Sequence, residues 1–320
     1  MGLVGIARLA SRSELLEARN QVQYFEIPTR SILNRTRPGM PFQWTINPYR
    51  GCEFGCKYCY ARYTHEFMEM TPEDFEEKIY AKTATAHLLR QELGRIDRAD
   101  HIAIGTATDP YQPAERRYGR TREILEVFAR ERGRHIGITT KGDLVLRDLG
   151  LLRQIARANV LAVHLTITTL DETLARQLEP LAPRPDLRLA AVRKLSAAGV
   201  CVGVFPSPVL PGLTDSEKSL DRVAYAAKQA GAMTFGGSPL FLGAAARKVF
   251  LPFLEREYPE LAPRYRAMYD GRVHLGRAYK EALAARLDRV RDRYGLASGW
   301  IEYRPELWDG QEQGNLFSLQ

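Results

Sequence analysis

The chain has 320 residues, of which 45% are hydrophobic and 26% charged, the composition of a soluble globular protein. Lys and Arg outnumber Asp and Glu by 46 to 38, and the resulting charge of +8 favours a polyanionic partner such as nucleic acid. No apolar run approaches the roughly 18 residues of a membrane helix, and Met1 to Arg8 lacks the basic lead and apolar length of a secretory signal, so a cytoplasmic protein without a membrane partner is expected.

Residues 1–42 read as an N-terminal extension. Short β-branched runs then alternate with helical patterns. Strands are predicted over residues 43–47, 101–107, 134–140, 161–169, 200–205 and 232–236. The first intervening helix is predicted over 72–93, capped by Thr71 with Pro72 in its first turn and Phe75, Ile79, Leu89 and Leu93 on one side. Further helices are predicted over 121–131, 146–158, 185–198, 216–230 and 244–257. That over 216–230 takes Thr214 or Asp215 as its cap and Gly231 as its terminator. After Pro259 the pattern changes to one polar helix over 277–294, ended by Gly295, and an irregular tail.

Six strand–helix repeats imply parallel strands joined by right-handed crossovers. The fold class expected is α/β: a partial (β/α)6 TIM-like barrel over 43–258, with the N-terminal extension before it and a C-terminal helical extension and tail over 259–320. A doubly wound sheet is the alternative. Both place ligands beyond the carboxyl ends of the strands, which directs attention to 47–51, 105–113, 139–142, 166–171, 206–212 and 236–239.

The loop after the first of these strands holds Cys52, Cys56 and Cys59 in the spacing C-x3-C-x2-C, and one other cysteine, Cys201, occurs in the chain. This usage argues for metal in a reducing compartment rather than for disulfides. An iron–sulfur cube needs a ligand at each of four irons, and three thiolates leave one iron open to a small molecule. With His65 the same cysteines also fit a Cys3His zinc site, the mark of a non-catalytic nucleic-acid-binding module.

The cysteine motif, with Tyr58 before its last member, resembles that of radical S-adenosylmethionine (SAM) enzymes. Residues 105–113, 139–142 and 206–215 resemble the spore photoproduct lyase-like branch of that superfamily. The resemblance implies a [4Fe–4S] cluster on Cys52, Cys56 and Cys59, with SAM on the open iron, and reductive cleavage of SAM to a 5′-deoxyadenosyl radical. It implies an electron donor such as flavodoxin or ferredoxin. It places Tyr58 near the adenine or the cluster, and Tyr60 toward the substrate as a hydrogen relay. Asp109, with Thr106 and Thr108, would face the SAM amino group, and Lys141 its carboxylate. Thr166 and Thr168, on one side of their strand, would reach the ribose or carboxylate. Ordinary strand and turn roles stand as the alternative for Asp109, Lys141, Thr166 and Thr168.

Spore photoproduct lyase proper uses a further cysteine as hydrogen donor, between the cluster loop and the next strand ends. This chain has no cysteine between Cys59 and Cys201, and Cys201, at the start of the fifth strand, reads as a buried structural thiol. A related radical reaction on a nucleic acid, of a DNA-repair kind, is therefore expected, with RNA, a peptide or a small metabolite as the other substrates. Residues 116–122 with Tyr118, and Arg264-Tyr265-Arg266, mix arginine with an aromatic in a way that suits phosphates and bases. In the tail, Gln313, Leu316 and Phe317 form a Q-x-x-L-F pentapeptide resembling those that bind the bacterial sliding clamp, which implies that partner.

Overall fold

The computed structural model describes residues 3–19 and 21–299, so the Gln313–Phe317 pentapeptide lies outside the described residues. Eleven strands occur among them: β1 (Glu14–Arg19), β2 (Val22–Ile27), β3 (Leu33–Arg35), β4 (Trp44–Ile46), β5 (Tyr49–Arg50), β6 (Lys78–Lys82), β7 (His101–Ile104), β8 (His135–Thr140), β9 (Val160–Thr166), β10 (Cys201–Phe205) and β11 (Thr234–Phe235). The main sheet has the order β11-β10-β9-β8-β7-β4-β3. Its last six strands in sequence are parallel neighbours, and β3 runs antiparallel on the β4 edge. Each crossover thus advances one strand in a constant direction. A doubly wound sheet would reverse direction at a switch point, so this order is that of an open, singly wound barrel.

Local chemistry explains the layers. Ile102, Ile104, Ile136, Ile138, Leu161, Val163, Leu165, Val202 and Val204 project at period two into a buried cluster shared with helices 120–128, 149–156, 185–197 and 217–229. The long helix Arg277–Tyr294 adds Leu283, Leu287 and Val290 to that cluster, and Gly295 ends it in a left-handed conformation at φ +58°. Among the described residues no helix is long and apolar enough to cross a membrane.

A second sheet, β1-β2-β6-β5, corrects the helix predicted over 72–93. That segment is a single turn at Asp74–Glu77, then β6, then a helix at Thr85–Leu93. In β6, Ile79 and Ala81 pack with Tyr24 and Tyr49, while Tyr80 packs with Ala10, Ile27 and Met68 on the other face. The alternation is that of a strand buried on both faces, and apolar residues on both sides also satisfied a helical spacing. Thr71 and Asp74 bond reciprocally, but across one turn only. Because β2 pairs with β6 and β3 with β4, residues before 43 share both sheets with those after.

Three further boundaries differ. The helix over 217–229 is capped by Ser216, whose Oγ accepts from the Ser219 amide at 3.1 Å, while Thr214 and Asp215 accept from the amides of Leu210 and Gly212. Residues 146–158 divide into a 3-10 segment, Asp143–Asp148, and a helix, Leu149–Ala156. Strand β9 ends at Thr166, so Thr168 lies in the loop beyond it.

Candidate active site

The cysteine loop leaves β5 through Gly51, which takes φ +82°. A Cβ there would stand 2.7 Å from the Lys78 carbonyl oxygen and 2.9 Å from that of Phe75, so only glycine fits. The Cys52 amide donates to Phe75 O at 2.9 Å, the Lys57 amide to Leu178 O at 2.9 Å, and the Leu181 amide to Phe54 O at 3.3 Å. Two side chains from the loop after β7 complete the frame. Thr108 Oγ1 donates to the Gly51 carbonyl at 2.6 Å; Gln112 Nε2 donates to the same carbonyl at 3.1 Å, and its Oε1 accepts from the Glu53 amide at 3.1 Å. Glu53 in turn accepts from Tyr24 Oη at 2.8 Å and the Ala114 amide at 2.7 Å. Beneath, the buried Arg62 donates to Pro72 O at 2.7 Å and Cys56 O at 3.1 Å and pairs with Glu76.

Around the thiols the strand ends converge. Asp109 accepts from Thr140 Oγ1 at 2.6 Å, the Lys141 amide at 2.7 Å and the Tyr111 amide at 2.9 Å, which ties the loop after β7 to the end of β8. Lys141 Nζ stands 4.0 Å from Glu179 Oε1 and 5.7 Å from the centre of the Tyr58 ring. Glu179 pairs with Arg188 at 2.5 Å, accepts from Thr168 Oγ1 at 2.6 Å and also accepts from Tyr58 Oη. Burial raises the Glu179 carboxyl, but Arg188 and Lys141 outweigh it and hold it below its ordinary value. Burial likewise pulls Lys141 down, and Cys56, once it is a thiolate, together with Glu179 brings it above its ordinary value.

These placements gather Cys52, Cys56, Cys59, Tyr58, Thr108, Asp109, Lys141 and Thr168 into one region. Thr106 binds Asn47 Nδ2 at 3.1 Å through its hydroxyl, and its carbonyl accepts from Tyr60 Oη. Thr166 is buried at the end of β9, where its carbonyl accepts from Arg188 Nη1 at 3.0 Å. Glu179 and Arg188 were not anticipated, since they stand outside the strand-end segments; Gln112 and Asn47 lie within those segments but were given no role, because their amides carry no pattern of their own. Cys201 is buried at the start of β10, and burial pushes its thiol up to about 11.

Three expectations change. His65 is no zinc ligand as placed, since its Nε2 lies 2.9 Å from Lys78 O and its ring packs edge-on against Phe75. Tyr265 is buried with its hydroxyl on Pro211 O at 2.8 Å, so it offers no face to a base. In the 116–122 segment, Arg117 pairs with Glu17, Arg120 with Glu26 and Glu123, and Arg122 with Glu126 and Asp148, which offsets much of its charge.

The donor set fits an iron–sulfur cluster. Cys52, Cys56 and Cys59 are unbridged, and burial pushes all three thiols up, Cys56 to about 12. Thiols so desolvated become thiolates only beside positive charge, which bound iron would add to that of Lys141 and Arg62.

The description of the Radical SAM superfamily matches residues 46–223. An uncharacterized protein of Mycobacterium tuberculosis is 37% identical over 288 residues, which span 89% of this chain and 84% of that one. An uncharacterized protein of Methanocaldococcus jannaschii is 28% identical over 246 residues, 75% of this chain and 86% of its own. Among solved structures, a spore photoproduct lyase mutant with bound AdoMet and dinucleoside spore photoproduct superimposes with a TM-score of 0.66 at 16% identity, over 93% of this chain and 85% of that one. At such identity the likeness is one of fold.

Proposed function

The chain belongs to the radical SAM superfamily, and from that premise we propose that it starts radical chemistry on a nucleic acid, of a DNA-repair kind. It is an enzyme, and the cofactors of its family are a [4Fe–4S] cluster and SAM. When bound, they supply one-electron cleavage of the SAM sulfonium and hence a carbon-centred radical.

The observation that carries this reading is the convergence of three unbridged thiols, Cys52 and Cys56 buried and Cys59 half-buried, with Lys141 and Asp109 at the ends of β7 and β8. In it Cys52, Cys56 and Cys59 hold the cluster, and Tyr58 walls it. Lys141, kept protonated by its negative neighbours, binds the SAM carboxylate. Asp109 accepts three hydrogen bonds of the roughly four a carboxylate takes, which leaves capacity for the SAM amino group. Thr106 and Thr108 set the loop that carries Asp109; Thr166 and Thr168 border the ribose. Tyr60, 41% exposed at the rim, is the hydrogen relay in a chain that has no cysteine between Cys59 and Cys201.

A nucleic-acid substrate is supported by the charge of +8 and by a groove of about 850 Å³ lined by Arg247 and Arg272, which pair with no acid among the described residues, and by Lys248 and Arg266, which pair with Glu66 and Glu255. His274 in that groove meets Phe241 at 4.9 Å, and Phe241 meets Tyr60 at 6.1 Å. The fold shared with spore photoproduct lyase, solved with its dinucleoside lesion, supports DNA over RNA, a peptide or a metabolite. A flavodoxin or ferredoxin supplies the electron, and the Gln313, Leu316, Phe317 pentapeptide docks a sliding clamp.

The test is anaerobic reconstitution followed by SAM and dithionite, with and without DNA or RNA. We expect 5′-deoxyadenosine, more of it with DNA, and none above background from Cys56→Ala. An intact cluster that yields no 5′-deoxyadenosine would sink the mechanism, and stronger stimulation by RNA would move the substrate.

A further inference from the structure

Four Lys and Arg side chains are buried among the described residues: Arg62, Lys82, Arg134 and Arg188. Three are paired. Arg62 binds Glu76 and two carbonyls, Arg134 binds Glu131 and the carbonyls of Leu93, Ile96 and Asp97, and Arg188 binds Glu179. Lys82, only 7% exposed, makes no side-chain hydrogen bond or ion pair among the described residues. Its neighbour Arg50, half-buried, makes none either. Arg50 stands opposite Tyr80 across the β5–β6 ladder, and Lys82 is two residues along on the same face. The two cations repel. The acid that acts on Lys82, Glu92, has its Oε2 engaged by the amides of Ile32 at 3.0 Å and Leu33 at 2.8 Å. Burial and Arg50 together pull Lys82 down to about 7. A buried and a half-buried cation side by side, with Glu92 acting on Lys82 but forming no ion pair with it, are costly unless an anion joins them.

Their position relates them to the site. The Lys82 amide donates to Pro48 O at 3.2 Å, and the adjoining Asn47 holds Thr106 and the Ala107 amide, where Tyr60 also bonds. From Tyr60 an aromatic lane runs outward: Tyr60 and Tyr63 lie 6.4 Å apart at 24°, and Tyr63 meets Phe67 at 5.5 Å. Tyr63 and Phe67 are 39% and 64% exposed, large for aromatic rings with no function in packing. Tyr63 acts on Arg50, which places that cation beside this lane with Lys82 next along the ladder.

We propose that Arg50 and Lys82 form a seat for a backbone phosphate of a nucleic-acid strand, with Tyr60, Tyr63 and Phe67 as the platform for its bases. Desolvated cations beside exposed rings are the two elements by which single strands are gripped. The inference rests on the nucleic-acid reading above and assigns that substrate its path to the cysteine loop.

The experiment measures anisotropy of a labelled single-stranded DNA on reconstituted protein across a salt series, with melting temperature alongside. Lys82→Met and Arg50→Gln should each weaken binding about five- to tenfold and lower the slope of log K against log salt by about one. Tyr63→Ala should weaken binding without changing the slope. Lys82→Met should melt no lower than the parent, because it removes a buried charge that no ion pair holds among the described residues. An unchanged slope in both cation variants overturns the seat and leaves the nucleic-acid reading intact. A lower melting temperature in Lys82→Met makes Lys82 structural and also overturns it. If the parent makes 5′-deoxyadenosine but binds no strand, the nucleic-acid reading falls with the proposal. Stabilisation of such a parent by inorganic phosphate, lost in Lys82→Met, would assign the pair to a free phosphate ester instead.

Discussion

Glu179 joins more of the site than any residue the strand-end rule singles out, touching Tyr58, Thr168 and Arg188 and standing 4.0 Å from Lys141. Removing it would leave Arg188 buried without its acid, and such a loss costs about 3–5 kcal/mol. Urea unfolding of Glu179→Ala is the measurement, and a loss below about 1 kcal/mol would show that water compensates Arg188. The double variant with Arg188→Ala should lose less than the two singles added, because the pair is coupled. Lys141 and Asp109 were legible in sequence because they follow predicted strands. Glu179 follows a helix, Glu172–Leu178, and reaches the thiols only because the 178–181 segment bonds the cysteine loop.

Among elements, the helix Glu217–Gln229 illustrates how a local rule selects the wrong neighbour. Thr214, Asp215 and Ser216 are all capping residues, and the sequence offers no means of ranking them. The turn after β10 engages Thr214 and Asp215 with the amides of Leu210 and Gly212, which leaves Ser216 as the cap. Ser216→Ala should therefore lower stability by about 1 kcal/mol, read as a fall in melting temperature. An unaffected melting temperature would return the cap to another group. The six parallel strands were legible because their apolar runs are short and β-branched. Strand β6 was not, because its apolar residues on both faces suit helix and strand alike, and the pairing with β2 and β5 decides between them.

For the molecule as a whole, buried imidazoles couple folding to pH. Burial pulls His65 and His164 down to about 4 each, while in the unfolded chain they titrate near 6.5. Between those values the unfolded chain binds more protons than the folded one. Stability is thus complete above about pH 6.5 and is lost as pH falls toward about 4, by roughly 3 kcal/mol for each ring over the full window. Urea midpoints at about pH 4.5 and about pH 7.5 should differ less in His65→Gln than in the parent; equal differences would mean His65 is not held neutral.

The sequence by itself determined the cysteine triplet, the superfamily and the six-fold β/α order, because each is written in short-range spacing: three cysteines within eight residues and apolar runs at strand period. Only the tertiary structure decided which polar side chains reach the thiols, that 78–82 is a strand, and that Lys82 forms no ion pair among the described residues. Those facts depend on burial and on contacts between distant segments. A lone lysine or glutamate reads the same in sequence whether folding leaves it solvated, pairs it or strands it.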